Sequence, residues 1–131
     1  MSSVIDHLEE RGFIDAMTHQ EMRQALKTPQ TVYCGFDPTS DSLHLGNLVG
    51  VIGLYWFQKF GHTPVVLVGG ATGMIGDPGG RSSERNLLSK KDIEYNLKGI
   101  QKVLERFLDF STPNKALLVN NYDWFKELSC I

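Results

Sequence analysis

The sequence predicts an α/β fold: half of a Rossmann-like doubly wound parallel sheet with flanking helices, preceded by short N-terminal helices. Three strand-like runs, at residues 31–36, 64–68 and 116–119, alternate with helix-like stretches at residues 43–60 and from residue 89 onward. Such alternation favours a parallel sheet whose strands are joined by right-handed crossovers. About three strands are expected, which is half of a typical nucleotide-binding sheet.

Residues 1–30 are predicted to form a helical segment in front of the sheet domain, which spans residues 31–131. Ser3 stands three residues before Asp6, and Thr18 stands three residues before Glu21. A hydroxyl followed at that distance by an acidic side chain is typical of the capping box that starts a helix. We therefore expect two short helices, one after each hydroxyl.

The first strand and helix of the sheet domain are predicted from residues 31–60. Residues 31–36 are rich in β-branched and aromatic side chains, and turn-forming residues follow at 37–42. Residues 43–60 are strongly apolar with helical spacing, and Gly61 is a natural stop. The continuous apolar run at 64–68 predicts a parallel strand that is buried on both faces.

A glycine-rich stretch follows at residues 69–80. A glycine cluster after a strand is often only a tight loop, but Asp77 within it is a carboxylate at a strand's carboxyl end that can pair with an amine. The stretch contains neither the phosphate-binding P-loop pattern nor the dinucleotide pattern G-x-G-x-x-G. Ser89, with Asp92 three residues later, predicts the start of the next helix. Its apolar positions follow the 3.6-residue period: Ile93, Leu97, Ile100, Val103, Leu104 and Phe107. A third strand at 116–119 leads through residues 120–124 into a last helical segment.

The composition is that of an ordinary soluble globular domain. Apolar residues make up 41% of the 131 residues and charged residues 21%, and the formal net charge is -2. This charge gives no bulk attraction for a polyanion.

Cys34 and Cys130 have no metal-ligand spacing, and no secretory segment precedes them, which favours reduced thiols and a cytoplasmic protein. The longest apolar run, 48–57, is far below the roughly 20 residues of a membrane span.

The junction between the first strand and the first long helix is the strongest candidate site, because ligands of such sheets bind at the carboxyl ends of strands. A helix start also offers free N–H groups to phosphate. His44 and Asn47 are three apart and share a helical face. Gly46 leaves room for a base or ribose, and Thr39 can donate to phosphoryl oxygens.

Each of these residues also has an ordinary structural explanation. His44 alone is more often a capping or surface residue than a ligand. Asp37, Pro38 and Thr39 alone are most often a turn, and Cys34 alone is more often a small core residue. The combination of all of them at one strand-to-helix junction favours the functional interpretation.

The motif at this junction resembles that of a known enzyme family. Residues 44–47, His-Leu-Gly-Asn, resemble the "HIGH" signature of class I aminoacyl-tRNA synthetases. The preceding frame at 33–39, Tyr-Cys-Gly-Phe-Asp-Pro-Thr, is similar to that of tyrosyl-tRNA synthetases in particular, as are residues 68–78, 83–85 and 120–124. The signature positions are Pro38, Thr39, His44, Leu45, Gly46 and Asn47. Asn47 stands where His is commonest in the family.

The resemblance implies a role for each matching residue. Tyr33 would bond the tyrosine phenol and Asp77 its ammonium, with Gly35 and Asn121 beside them. The ATP-binding positions would be Cys34, Asp37, His44, Gly46 and Asn47. The residues expected to stabilise the leaving pyrophosphate are Thr39, His44, Arg81 and Arg85. Arg81 replaces a common Lys, which keeps the charge but changes its geometry.

As a whole, the resemblance implies a tyrosine–tRNA ligase. Its substrates would be L-tyrosine, ATP with Mg²⁺ and tRNA(Tyr), the last bound mostly by regions outside this chain. No prosthetic group, protein-built metal site or membrane contact is expected, and the full-length protein is expected to be a homodimer. The family's second, lysine-rich signature is absent, so we expect this chain alone to be inactive and the outer edge of its first strand to be open.

Two alternatives remain from the residues alone. One is a small nucleotidyltransferase with an H-x-G-H motif, which would need neither the frame at residues 33–39 nor Asp77. The other is a non-enzymatic truncated domain that binds a nucleotide or tyrosine.

Overall fold

The structure is a computed structural model that describes residues 3–75 and 88–128. The predicted three-stranded parallel sheet is confirmed, with the strand order β1-β2-β3. The strands are β1 (Thr31–Phe36), β2 (Thr63–Val68) and β3 (Leu117–Asn120). The helices are α1 (Val4–Glu10), α2 (Met22–Ala25), α3 (Leu45–Lys59), α4 (Gly70–Ile75), α5 (Lys90–Leu104) and α6 (Tyr122–Phe125). Among the described strands β1 pairs only with β2, so its outer edge is open as expected.

One face of the sheet carries the core. Side chains from α3 and α5, including Val51 and Ile100, pack against Phe36, Val66 and Val68. All five are at most 5% exposed, and this cluster forms because neighbouring strands present alternate residues to the same side.

The opposite face of the sheet is much more exposed in the described part of the chain. Tyr33 is 73% exposed and Leu117 is 40% exposed, and Val65 between them is half-buried. Within the described residues, the prediction that β2 is buried on both faces is therefore wrong. The reason is that α3 and α5 both pack on the same side, which a continuous apolar run does not reveal.

The N-terminal segment packs on the outside of α3. Val4, Ile5 and Leu8 of α1 form a second apolar cluster with partly buried Trp56 and Phe57. The predicted capping box of α1 is confirmed, since the Asp6 N–H donates to Ser3 Oγ (3.2 Å) and the Ser3 N–H donates to Asp6 Oδ2 (2.8 Å). The bonds from Ser3 lower the pKa of the Asp6 carboxyl group.

The second predicted capping box, between Thr18 and Glu21, is wrong. Helix α2 begins at Met22, so Glu21 occupies the cap position itself and makes no capping bond. The Thr18 hydroxyl lies 3.1 Å from His19 Nδ1 instead. A hydroxyl can cap only when it stands directly before the first helical residue, and Thr18 is three residues too early.

The glycine-rich stretch is not simply a tight loop, because its first part forms the short helix α4. The N–H of Gly70 donates to Asn120 Oδ1 (3.1 Å), and the N–H of Ala71 donates to Asn121 Oδ1 (2.8 Å). Two free N–H groups at the helix start thus gain acceptors from the last residue of β3 and from the residue directly after it. These long-range caps stabilise a helix that the local sequence does not predict. Residues 76–80 lie outside the described residues.

The amino-terminal end of the sheet is closed by polar contacts. Gln58 exchanges two hydrogen bonds with the backbone of Asp109 (2.7 and 2.9 Å). Asn114 donates to the carbonyls of Gln58 (2.8 Å) and His62 (3.0 Å). Buried His62 accepts from the N–H of Gln30 (3.1 Å), and its burial lowers its pKa. The carboxyl end of the sheet, where ligands are expected, is on the opposite side of the molecule.

Within residues 3–75 and 88–128, no helix has both the length and the apolar character needed to cross a membrane.

Candidate functional site

The candidate site is built where β1 ends and α3 begins. Strand β1 is followed by a turn at residues 37–42 and by His44, the residue before α3. The Gly69 N–H donates to the carbonyl of Phe36 (3.0 Å), so β2 continues beside β1 to its last residue. Pro38 is buried, whereas Asp37, Thr39 and His44 are exposed. The turn therefore presents polar side chains at the carboxyl edge of the sheet.

His44 and Asn47 cap the start of α3 reciprocally. The Asn47 N–H donates to His44 Nδ1 (3.3 Å), and the His44 N–H donates to Asn47 Oδ1 (3.1 Å). Helix α3 therefore begins at Leu45 rather than at residue 43, and His44 has the structural role considered in the sequence analysis. This role is compatible with ligand binding, because the cap occupies only one ring nitrogen and the amide oxygen.

The cap also determines which nitrogen of His44 carries the proton. Because Nδ1 accepts a hydrogen bond, the neutral ring must carry its proton on Nε2. Among residues 3–75 and 88–128, neither Nε2 of His44 nor Nδ2 of Asn47 has a hydrogen-bond partner. Two hydrogen-bond donors are thus available at the amino-terminal end of a helix, where the partial positive charge of the helix also attracts anions.

Gly46 has a structural reason to be glycine besides the predicted approach of a substrate. A Cβ atom at this position would lie 3.0 Å from Cε1 and 3.1 Å from Nδ1 of His44. A side chain at Gly46 would therefore require the His44 ring to shift by a few tenths of an ångström, which would disturb its bond with the Asn47 N–H.

Cys34 lies on the face of β1 that packs against α3. A Cβ atom at Gly50 would lie 3.1 Å from its sulfur, so the thiol and this helix are in close contact. Burial raises the pKa of the Cys34 thiol. The group is therefore protonated at neutral pH, and it is a neutral hydrogen-bond donor rather than a reactive thiolate. The predicted contact with a ribose stays a prediction.

Tyr33 and Gly35, predicted to line a tyrosine pocket, lie on the opposite face of β1 from Cys34. In the sheet register, Gly35 is opposite Leu67, which in turn is opposite Val119. No described atom lies within 4 Å of a Cβ atom built at Gly35. The structure thus places Tyr33 and Gly35 on one face of β1, and Cys34 with α3 on the other.

Asn121 is 7% exposed, and its amide is engaged with α4 through Ala71. Asn120, which the sequence analysis missed, has a similar role, since its Oδ1 accepts from the N–H groups of Gly70 (3.1 Å) and Tyr122 (3.0 Å). A direct contact between Asn121 and tyrosine stays a prediction.

Three predicted site residues, Asp77, Arg81 and Arg85, lie outside the described residues.

Helix α5 contributes two further residues that the sequence analysis missed. Asn96 donates through Nδ2 to the carbonyl of Pro38 (2.8 Å), and Gly99 lies against the carbonyl of Asp41. The available signal was a polar residue on an otherwise apolar helical stripe, since Asn96 lies on the same buried side as Ile93 and Ile100.

A cavity of about 300 Å³ adjoins the start of α3. His44 and Arg106 are the polar members of its lining, which is otherwise apolar: Leu43, Leu45, Leu48, Val51, Val103 and Phe107. Over residues 3–75 and 88–128, no group of three or more His, Cys, Asp or Glu side chains is placed to hold a metal ion.

Comparison with known proteins gives matches along the whole chain. The family described as tRNA synthetases class I (W and Y) matches residues 24–131. The chain is 62% identical to the tyrosine–tRNA ligase of Protochlamydia amoebophila over 132 residues, which cover 100% of this chain and 31% of that protein. It is 51% identical to the tyrosine–tRNA ligase of Flavobacterium johnsoniae, again with coverage of 100% and 31%.

The fold agrees with a solved structure of the same kind. A C-terminally truncated mitochondrial tyrosyl-tRNA synthetase from Aspergillus nidulans superposes with a TM-score of 0.80 at 25% identity, covering 99% of this chain and 40% of that chain. The resemblance inferred from the motifs is confirmed, and the chain spans 31% of the length of the relatives named above. The chain therefore belongs to the class I tRNA synthetase family of the tryptophan and tyrosine enzymes.

Proposed function

We propose that the protein containing this chain is a tyrosine–tRNA ligase, which activates L-tyrosine with ATP and transfers it to tRNA(Tyr). The observation that carries the proposal is the reciprocal cap of His44 and Asn47, which presents two hydrogen-bond donors at a helix start beside a parallel strand. The names of the relatives favour tyrosine over tryptophan as the substrate.

The activation step needs no general base, because the carboxylate of tyrosine is already a nucleophile at neutral pH. One of its oxygens forms a bond to the α-phosphorus of ATP, and the bond from that phosphorus to the bridging oxygen breaks. Tyrosyl-adenylate forms, and pyrophosphate leaves with the negative charge. The protein has to align the two substrates and stabilise the charge that develops on the leaving group.

The residues of the turn and of α3 would supply that stabilisation. The hydroxyl of Thr39 and Nε2–H of His44 would donate to phosphoryl oxygens, and Arg81 and Arg85 would add positive charge. A donor placed in this way contributes about 3–4 kcal/mol to transition-state binding in comparable sites. Mg²⁺ would accompany ATP as part of the substrate, held mainly by phosphate oxygens.

Recognition of ATP would use the residues around the same helix start. Cys34 and Asn47 would donate to the ribose, and Asp37 would line the floor of the pocket. Gly46 would allow the nucleotide to approach the backbone. The protonated state of the Cys34 thiol supports its part, since only the thiol can donate a hydrogen bond.

Tyrosine would bind on the more exposed face of the sheet. There the exposed Tyr33 would bond the phenol with its hydroxyl, and the space at Gly35 that no described residue fills would accept the aromatic ring against Leu67. Asp77 would hold the ammonium, and Asn121 would stand beside the pocket. We further propose that the full-length protein is a cytoplasmic homodimer and that tRNA(Tyr) binds mostly to parts of it outside this chain.

Exchange of labelled pyrophosphate into ATP tests the proposal on the purified full-length protein, with each amino acid supplied separately. Tyrosine alone should support exchange. Exchange with tryptophan instead would assign the protein to the other branch of the family, and no exchange with any amino acid would refute the proposal. The 131-residue chain, prepared free of the host enzyme, should give no useful exchange, because the lysine-rich signature is absent from it.

A further inference from the structure

Asn96 is a buried polar residue whose position requires an explanation. It is 8% exposed and lies on the side of α5 that faces the core. Its Nδ2 donates to the carbonyl of Pro38 at 2.8 Å, and Pro38 itself is fully buried. A buried amide is costly unless it is hydrogen-bonded, so this bond is what makes Asn96 compatible with the core.

Gly99, one turn further along α5, makes a second contact with the same segment. A Cβ atom at this position would lie 1.9 Å from the carbonyl oxygen of Asp41 and 2.8 Å from its carbonyl carbon. Because the obstacle is backbone, any side chain would force α5 and the segment apart. Asn96 and Gly99 are three residues apart and therefore share one helical face.

The two contacts bracket Thr39. Pro38 precedes it directly, and Asp41 follows it by two residues. The hydrogen bonds described within the turn are local and weakly constraining: the Ser40 hydroxyl donates to the carbonyl of Ser42 (2.7 Å) and accepts a long bond from its N–H (3.4 Å). The contacts with α5 therefore contribute to the position of the turn, together with the packing of Pro38 against Gly73 of α4.

We propose that Asn96 and Gly99 are positioning residues that hold the backbone on both sides of Thr39, so that its hydroxyl is aligned with the leaving pyrophosphate. In this proposal the two residues act through the turn and not by contact with substrate. The inference rests on the proposed function, and it assigns to α5 the role of positioning the turn at residues 37–42.

The first test uses Asn96→Ala in the full-length protein. The rate constant for formation of tyrosyl-adenylate in a single turnover should fall about 10-fold to 100-fold, since a displacement of about 1 Å at a reacting group has effects of that size. The dissociation constant for tyrosine should change less than about two-fold, because only interactions made in the transition state are affected. Ile100→Val is the matched control, since it removes buried volume from the same helix without altering the turn.

Coupling to Thr39 separates positioning from a general loss of stability. Thr39→Ala removes the hydroxyl that Asn96 is proposed to align. Added to Thr39→Ala, the change Asn96→Ala should therefore cost little further rate, as expected for residues that act as one unit. If the rate losses of the two single variants multiply in full in the double variant, the proposal is overturned. A lowered melting temperature with an unchanged rate constant would also overturn it.

Gly99→Ala gives a second route to the same result, with Gly53→Ala as its control. Both glycines lie inside long helices, but no described atom lies within 4 Å of a Cβ atom at Gly53. Gly99→Ala should lower the rate constant in the same range as Asn96→Ala, and Gly53→Ala should leave it unchanged. Equal rates for the two alanine variants would refute the role of Gly99.

Hydrogen exchange measured by mass spectrometry tests the anchoring independently of catalysis. Asn96→Ala should speed exchange in peptides that cover residues 37–44 and leave peptides from β3 unchanged. Unchanged protection at 37–44 would refute the anchoring even in an active enzyme. Faster exchange at 37–44 in a protein that activates no amino acid would instead refute the proposed function while the anchoring contact stands.

Discussion

Replacement of His44 separates its role as a helix cap from its role as a donor to phosphate. His44→Ala removes both, because Nδ1 accepts from the Asn47 N–H and Nε2 carries the proton. The capping bond is long, at 3.3 Å, so its loss should cost at the lower end of the usual range, about 0.5–1 kcal/mol of unfolding free energy. Loss of the Nε2–H donor should slow adenylate formation about 10²-fold to 10³-fold.

His44→Asn supplies the matched variant, since Asn is among the best capping residues and its oxygen can replace Nδ1 as the acceptor. Unfolding free energy, from urea titration, should return close to that of the unaltered protein. The single-turnover rate should stay low, because the shorter Asn side chain does not extend as far as Nε2 of His44. Equilibrium binding of tyrosine should be nearly unchanged in both variants.

A rate that recovers fully in His44→Asn would show that the histidine matters only as a cap. A large loss of tyrosine affinity with an unchanged rate in His44→Ala would place the ring against the amino acid rather than the pyrophosphate. Either result would contradict the geometry argued from the cap.

Three further predictions test the structure at other places. Burial lowers the pKa of the His62 imidazole below its ordinary value of about 6.5, so the unfolded state binds the proton more readily than the folded state. The unfolding free energy should therefore be highest above about pH 6.5 and should fall as the pH decreases below that value. His62→Asn should flatten that decrease in urea titrations, and an unchanged pH profile would contradict the assignment. Gly70→Ala should cost about 2–4 kcal/mol of unfolding free energy. The new Cβ would lie 2.1 Å from Asn120 Oδ1 and would disturb the two hydrogen bonds that this oxygen accepts. The control Gly53→Ala should leave the unfolding free energy unchanged or raise it slightly. Tyr33→Phe should narrow the preference for tyrosine over phenylalanine in pyrophosphate exchange, since a site that bonds a substrate hydroxyl rejects an analogue that lacks it; an unchanged preference would exclude the proposed bond.

The order of elements and the family were within reach of the sequence. Alternating apolar runs predicted the three parallel strands, and the frame around residues 33–47 predicted the synthetase family. The capping box of Ser89 and Asp92 was also predicted, with the Asp92 N–H bonded to Ser89 Oγ at 3.2 Å. The division at residue 30, the roles of the site residues and the expected absence of a metal site stay predictions. The features that were predicted correctly depend on residues close together in the chain, where spacing alone carries the information.

Only the tertiary structure showed how distant segments support one another. Asn120 and Asn121 turn the start of the glycine-rich stretch into α4, and Asn96 holds the turn before α3 from a helix almost 60 residues later. Which face of β2 is covered was likewise decided by the packing of α3 and α5. Periodicity shows which apolar residues share one face of a helix or strand, but it does not identify the residues that this face contacts. The role of a polar side chain such as Asn96 can be assigned only when the fold shows which backbone carbonyl lies within hydrogen-bonding distance of it.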